Sequence, residues 1–229
     1  MASKYKHRMY GNMSIKLSLG NSDIENITEQ KLLGVYIDNS LTWKTQITKV
    51  CSIVNSKIAL FKRISYYLTD EMKIKYYNAY IVSSMDYCCT IWGTGKQCMN
   101  KMYKLQCRAA RLITNTKRQE SNSNLLRQLN WLSFEDRCFY HSGVLVYKAK
   151  NLLAPEYIYN MLTFCYSNVY NLRSIQRNDI EIPKQRTNYM KMSFTNYSAH
   201  TWNSIPTSIR NSPSLVSFKK ALKKYLLNK

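Results

Sequence analysis

The stretch QKLLGVYIDNSLTWKTQI, residues 30 to 47, changes its periodicity part-way along. Its first half is a short apolar run that reads as a strand over about residues 31 to 37. Asp38-Asn39-Ser40 is turn chemistry, and Trp43-Lys44 opens a helical pattern. Upstream, MSIKLSL (13–19) alternates as a strand does and is followed by the turn GNSD, so the two strands form a β-hairpin or lie side by side. Downstream, Leu41 to Ser65 carries Ile47, Val50, Val54, Ile58 and Phe61 in steps of three and four, which marks one face of a helix.

A second helix, with Thr69 or Asp70 as its cap, runs through MKIKYYNAYIVSSMDYCCTIW and is stopped by Gly93 and Gly95. Tyr77, Tyr80 and Ile81 fall on its packing side. The third helix, from about Gln97 to Thr114, has the clearest charge geometry in the chain. At 100° per residue, Lys101, Lys104, Arg108 and Arg111 fall within about one quarter of the wheel. Met102, Leu105, Gln106, Ala109, Leu112 and Ile113 occupy the other side. Lys117 and Arg118 continue the basic stripe, which reads as a phosphate-contacting surface.

The polar run KRQESNSN (117–124) is the best linker. Beyond it come three helical pieces, the middle one capped by Ser133 and the next opened by Pro155. Residues 166 to 196 lose the helical period, with short extended pieces expected near Ile180–Ile182 and Met190–Phe194. A Trp-centred helix and a final helix follow, the latter capped by Ser212 with Pro213 at its first position. Leu215, Phe218, Leu222 and Leu226 line one side of that last helix. The chain is therefore expected to be mainly α with a small β-hairpin. The expected domains are a hairpin over 1–40, a helical bundle over 41–118 and a second helical domain over 119–229.

Thirty-four Lys and Arg against thirteen Asp and Glu give a formal charge of +21, spread along the chain. Such a surface repels itself unless a polyanion balances it, and nucleic acid is the natural partner. Nineteen Tyr and four Trp add stacking faces, although most of these rings belong to the core. Seven cysteines at irregular spacing, with no Cys-x-x-Cys, predict free thiols in a reducing, intracellular setting. No secretory or membrane-spanning segment is expected.

Catalytic constellations are largely excluded. Asp38, Asp70, Asp86, Asp136 and Asp179 stand singly, and the adjacent pairs Asp70-Glu71 and Glu135-Asp136 sit where acidic residues favour a helix N-terminus. His7, His141 and His200 are too dispersed for a triad. Cys138 and His141 have metal-ligand spacing, but no second such pair follows them, so no metal is expected. Gly34, Gly93 and Gly95 match neither phosphate-loop pattern.

Several segments together resemble one family. QKLLGVYIDNSLTWKTQI resembles the strand-turn-helix after the catalytic motifs of non-LTR (LINE-type, jockey- and CR1-like) retrotransposon reverse transcriptases, where a Leu-Gly motif forms the primer grip. KIKYYNAYIVSSMDYCCTIWG is similar to their thumb helix, which ends in Tyr-x-x-x-x-Trp-Gly, here Tyr87 to Gly93. KLQCRAARLITN resembles a further thumb segment through Leu105, Gln106, Ala109, Arg111, Leu112 and Ile113. LNWLSFEDRCFYHSGVLVYKAKNLLAPEYI and SAHTWNSIPTSIRNSPSLVSFKKALKKYL resemble the domain after the thumb.

The resemblance implies a primer grip, a thumb and a post-thumb domain that hold an RNA and DNA template-primer. Leu33 and Gly34 would place the primer end. Lys101, Lys104, Arg108, Arg111, Lys117 and Arg118 would contact phosphates, and Lys184, Arg186 and Lys191 would form a second strip. The family's paired aspartates, and the Mg²⁺ they hold in the full-length enzyme, have no counterpart: no Asp-Asp pair stands in these 229 residues. The chain alone is therefore expected to be catalytically inactive, without a cofactor or small-molecule substrate. The alternatives are a stand-alone basic nucleic-acid-binding protein derived from such an element and a fragment without function.

Overall fold

The computed structural model describes residues 17–25, 27–116, 121–165 and 179–229. His7, the start of the first expected strand, Lys117, Arg118 and residues 166 to 178 of the expected irregular segment lie outside the described residues. The chain forms two compact units, Met1–Val50 and Cys51–Lys229. The described residues are mainly helical, with two small antiparallel hairpins.

In the first unit, β1 (Leu17–Leu19) pairs with β2 (Ser22–Ile24), and β3 (Glu29–Leu32) pairs with β4 (Val35–Asp38). The expected single strand over 31–37 is thus corrected to a hairpin that folds back at Leu33-Gly34. Leu32 lies opposite Val35, which leaves a two-residue turn whose φ values are both positive, 46° and 84°. This is the backbone of the tight hairpin turn that matches strand twist. Gly34 adopts it freely, whereas Leu33 pays about 1–2 kcal/mol for its Cβ.

The loop after β4 is organised by one carboxylate. Asp38 Oδ1 accepts from the amides of Ser40 and Thr42, both at 3.0 Å, and Oδ2 accepts from the Trp43 amide at 2.8 Å. Leu41 and Trp43 are held at positive φ, 48° and 59°, so α1 (Lys44–Ile64) begins three residues later than its apolar period suggests. Gln46 in its first turn accepts the Tyr36 amide of β4 at 2.9 Å.

In the second unit, the remainder of α1 buries Val54, Ile58 and Phe61. A 3₁₀ turn (Ser65–Tyr67) leads to α2 (Asp70–Tyr76), capped by Thr69. The long second helix expected from sequence is interrupted twice. A π turn occupies Tyr77–Val82, and the chain breaks at Tyr87-Cys88, where Cys88 has φ 52°. Helices α3 (Ser83–Asp86) and α4 (Cys89–Trp92) flank that break. The wide turn leaves the Tyr80 carbonyl to accept from Lys57 Nζ at 2.8 Å and Ser84 Oγ at 3.1 Å. It also rotates Tyr80 outward: Tyr77 and Ile81 are buried as expected, but Tyr80 is 55% exposed and stacks on Tyr76.

Helix α5 (Lys96–Thr114) ends at Asn115 in the left-handed conformation. Then come α6 (Asn122–Gln128) and α7 (Phe134–Lys150), with Ser133 accepting the Asp136 amide as the N-cap. Trp131, just before α7, stacks flat on Tyr77, with centroids 3.6 Å apart. After Pro155 come α8 (Glu156–Asn160) and an isolated antiparallel bridge between Phe164 and Ile180. Residues 188 to 204 form α9 (Asn188–Met192) and α10 (Phe194–Ser204), where an extended piece over Met190–Phe194 was expected. Thr187 and Ser193 each supply an N-cap hydroxyl there, which favours two short helices over a strand. Helices α11 (Thr207–Arg210) and α12 (Leu215–Leu227) complete the chain. The cap of α12 is Ser214, which accepts from Ser217 N, so Ser212 and Pro213 precede the helix.

The main core packs α7, α10 and α12 together. Trp202, Phe218, Leu222, Leu226, Val146 and Tyr147 are buried, and Tyr147 stacks on Phe218 at 4.3 Å. Among the described residues no helix is long and apolar enough to cross a membrane.

Candidate nucleic-acid interface

The basic row on α5 is built by burial of the opposite side. Met102, Leu105, Gln106, Ala109 and Ile113 are buried, while Lys101, Lys104 and Arg108 are exposed. Gln106 is anchored by donating its side-chain amide to the Leu132 carbonyl at 2.7 Å, which fixes the roll of the helix. Arg108 Nη1 donates to Asn55 Oδ1 on α1 at 3.0 Å and keeps its exposure.

Arg111 differs from the other three. It is half-buried, its Nη2 donates to Asn122 Oδ1 at the start of α6, and its Nε is buried without a hydrogen-bond partner. Its guanidinium ties α5 to α6, a role that helical spacing alone does not reveal. Lys184 and Arg186 are exposed on the irregular segment before α9, and Lys191 is exposed on α9. Lys117 and Arg118 lie outside the described residues. Leu33 and Gly34 occupy the β3–β4 turn of the first unit, where Leu33 is 83% exposed.

Among the described residues the carboxylates do not gather into a two-metal cluster. Asp70 and Glu71 lie in the first turn of α2, and Glu135 and Asp136 in the first turn of α7. Asp179 is paired with Arg210 at 2.7 Å. The described residues therefore offer no fit for a pair of Mg²⁺ ions held by clustered carboxylates.

One grouping escaped the sequence. Asp86, at the end of α3, accepts from Arg137 Nε at 2.7 Å and from Arg137 Nη2, and its Oδ2 lies 3.1 Å from His141 Nε2. Burial pushes the Asp86 carboxyl upward, but the Arg137 and His141 hydrogen bonds and charges outweigh it and hold the group below its ordinary 3.8. Asp86, Cys89 and His141 place their ligand atoms within 4.8 Å of one another. The available signal was the spacing of Asp86 and Cys89, three residues apart like Cys138 and His141.

A cleft of about 530 Å³ lies between α7, α10 and the end of α12, lined by Glu135, Asp136, Tyr197 and His200. Lys229, of opposite charge to the two carboxylates, lines it too, and it includes none of the expected phosphate contacts. Comparison of the chain with protein-family models, with curated proteins and with solved structures found no match.

Proposed function

We propose that this chain binds nucleic acid through the exposed face of α5, as the template-primer-holding C-terminal part of a non-LTR retrotransposon reverse transcriptase. The observation that carries the binding reading is the row Lys101, Lys104 and Arg108, exposed on a helix whose opposite side is buried. At 1.5 Å per residue the row is about 10 Å long. That length matches about three base steps of one strand. Cations held on a rigid helix need little ordering on binding, and they contact phosphates without reading bases. The net charge of +21 supports a polyanionic partner.

The polymerase origin rests on the motif resemblance, and the Leu33-Gly34 turn is compatible with it: an exposed backbone corner at positive φ is suited to close approach by a ligand. With no Asp-Asp pair in the sequence, the chain by itself binds without polymerising. The seven free thiols suit a nuclear or cytoplasmic location.

The test is affinity for an RNA–DNA duplex across a salt series. Replacing Lys101, Lys104 and Arg108 together with Ala is expected to lower the slope of log K against log salt by about two to three units. Unchanged affinity and slope in the triple variant would remove the reading.

A further inference from the structure

We propose that Asp86, Cys89, Cys138 and His141 form a zinc site that fastens the Tyr87–Trp92 segment to α7. The four residues make two pairs, Asp86-x-x-Cys89 and Cys138-x-x-His141, each with the short spacing typical of metal-ligand pairs.

The fold brings the two pairs together. Cys88 takes φ 52°, which breaks the chain between α3 and α4 and folds Cys89 back beside Asp86. Cys138 and His141 lie one turn apart on α7, which packs against both α3 and α4. One cross-pair contact joins Asp86 Oδ2 to His141 Nε2 at 3.1 Å, and on the other side the Cys138 thiol faces the Cys89 backbone carbonyl at 4.0 Å.

These distances suit a small cation after modest contraction. With metal–ligand bonds of about 2.0–2.3 Å, a tetrahedral site has edges of about 3.3–3.8 Å. The Asp86–His141 edge is already slightly shorter, and the spread of 4.8 Å among Asp86, Cys89 and His141 asks for about 1 Å of closure, while the Cys138 sulfur stands outside that spread and has to be drawn in as the fourth ligand. Cys89 and Cys138 are 1% and 0% exposed, whereas the His141 side chain is 36% exposed, so the site is sealed on the sulfur side and open for entry on the imidazole side.

The surroundings also fit. Two thiolates and a carboxylate around Zn²⁺ leave one excess negative charge, and the Arg137 guanidinium already rests on the Asp86 carboxylate. A partner of that kind orients a ligating oxygen and balances the charge. Gly93 leaves room for the Cys138 sulfur, since a Cβ there would come within 2.8 Å of it. The mixed sulfur, nitrogen and oxygen donors select zinc over Mg²⁺ or Ca²⁺, which prefer oxygen.

The experiment is a Co²⁺ titration of the metal-stripped full chain, kept reduced without a thiol chelator and free of nucleic acid. The expected result is one equivalent bound, with the visible bands of tetrahedral cobalt and thiolate-to-cobalt charge transfer, both abolished by Zn²⁺. Cys89→Ser and His141→Asn should each weaken binding at least about a hundredfold. Cys51→Ser and Cys165→Ser, at thiols outside the cluster, should leave it unchanged. Zn²⁺ should raise the melting temperature of the wild type and not that of His141→Asn. Absence of tetrahedral bands in the wild type overturns the site whatever the variants do, as do bands that persist unchanged in His141→Asn. With no nucleic acid in the assay, either outcome leaves the α5 binding reading standing.

Discussion

The indole Nε1 of Trp92 donates to the backbone carbonyl of Tyr87 at 2.8 Å and closes the segment between them into a locked corner. Its C-terminal end is buried: Trp92 packs on Phe134 with centroids 5.9 Å apart, and Gly93 sits beneath the Cys138 sulfur, while Tyr87 stays exposed. A spacing of five residues between the accepting carbonyl and the donating indole gives the Tyr-x-x-x-x-Trp-Gly pattern a structural reason that is independent of any ligand.

Gly93→Ala is expected to destabilise the second unit by about 2–3 kcal/mol, through overpacking in a filled core. Its Cβ would meet the Cys89 carbonyl at 2.5 Å and the Cys138 sulfur at 2.8 Å, and neither neighbour is the tip of a flexible side chain. A denaturant midpoint equal to the wild type's would show that the corner relaxes freely. Trp92→Phe keeps an aromatic ring but removes the indole hydrogen bond to the Tyr87 carbonyl, for an expected loss of about 0.5–1.5 kcal/mol.

Asp38 makes the loop before α1 sensitive to acid. Burial raises its carboxyl, but hydrogen bonds from Thr42, Trp43 and Ser40 outweigh this and hold it below its ordinary 3.8. A folded value lower than the unfolded one means that the carboxylate contributes fully above pH 3.8 and that this contribution is lost as pH falls through the lower folded value. Amide exchange at Thr42 and Trp43 should therefore accelerate in that acidic window. Asp38→Ala should show the faster exchange already at neutral pH, at a cost of about 1–3 kcal/mol. Equal protection in both proteins at neutral pH would mean that the left-handed residues Leu41 and Trp43 hold the loop without it.

Helical periods were legible wherever burial was one-sided. Val54, Ile58 and Phe61, the buried side of α5 and the Phe218–Leu222–Leu226 side of α12 follow from steps of three and four. Points where backbone geometry departs from the local pattern were not legible. The turn at Leu33 needs positive φ from a residue that rarely adopts it, and the π turn at Tyr77–Val82 shifts the phase of an otherwise regular helix. Asp86, Arg137 and His141 escaped notice because Asp86 lies some fifty residues before its partners, a separation of 51 to Arg137, and only packing of α3 on α7 joins them.

Arg108 and Arg111 share a helical face yet should behave differently. Arg108→Gln removes an exposed cation and is expected to lower the salt slope of duplex binding by about one unit while leaving stability near the wild-type value. Arg111→Gln removes the link to Asn122 and should destabilise the α5–α6 packing by about 1–3 kcal/mol with little change in slope. Paired melting curves and salt series on the two variants separate these effects. Equal slopes for both would place Arg111 among the phosphate contacts after all.

Leu33 tests what the β3–β4 turn contributes. A leucine at φ 46° in a tight hairpin turn costs about 1–2 kcal/mol, and Asn relieves most of that cost because its short polar side chain tolerates the left-handed region. Leu33→Asn should therefore slow amide exchange across β3 and β4. The side chain is 83% exposed, so burial does not explain why leucine occupies this corner. If Leu33 contacts the duplex as proposed, the same substitution should weaken binding about tenfold, the loss of roughly 1.4 kcal/mol of apolar contact. A variant with a more stable hairpin and undiminished affinity would leave the turn as a structural feature and remove Leu33 and Gly34 from the interface. A more stable hairpin that binds worse would mark the corner as a place where stability is given up for contact with nucleic acid.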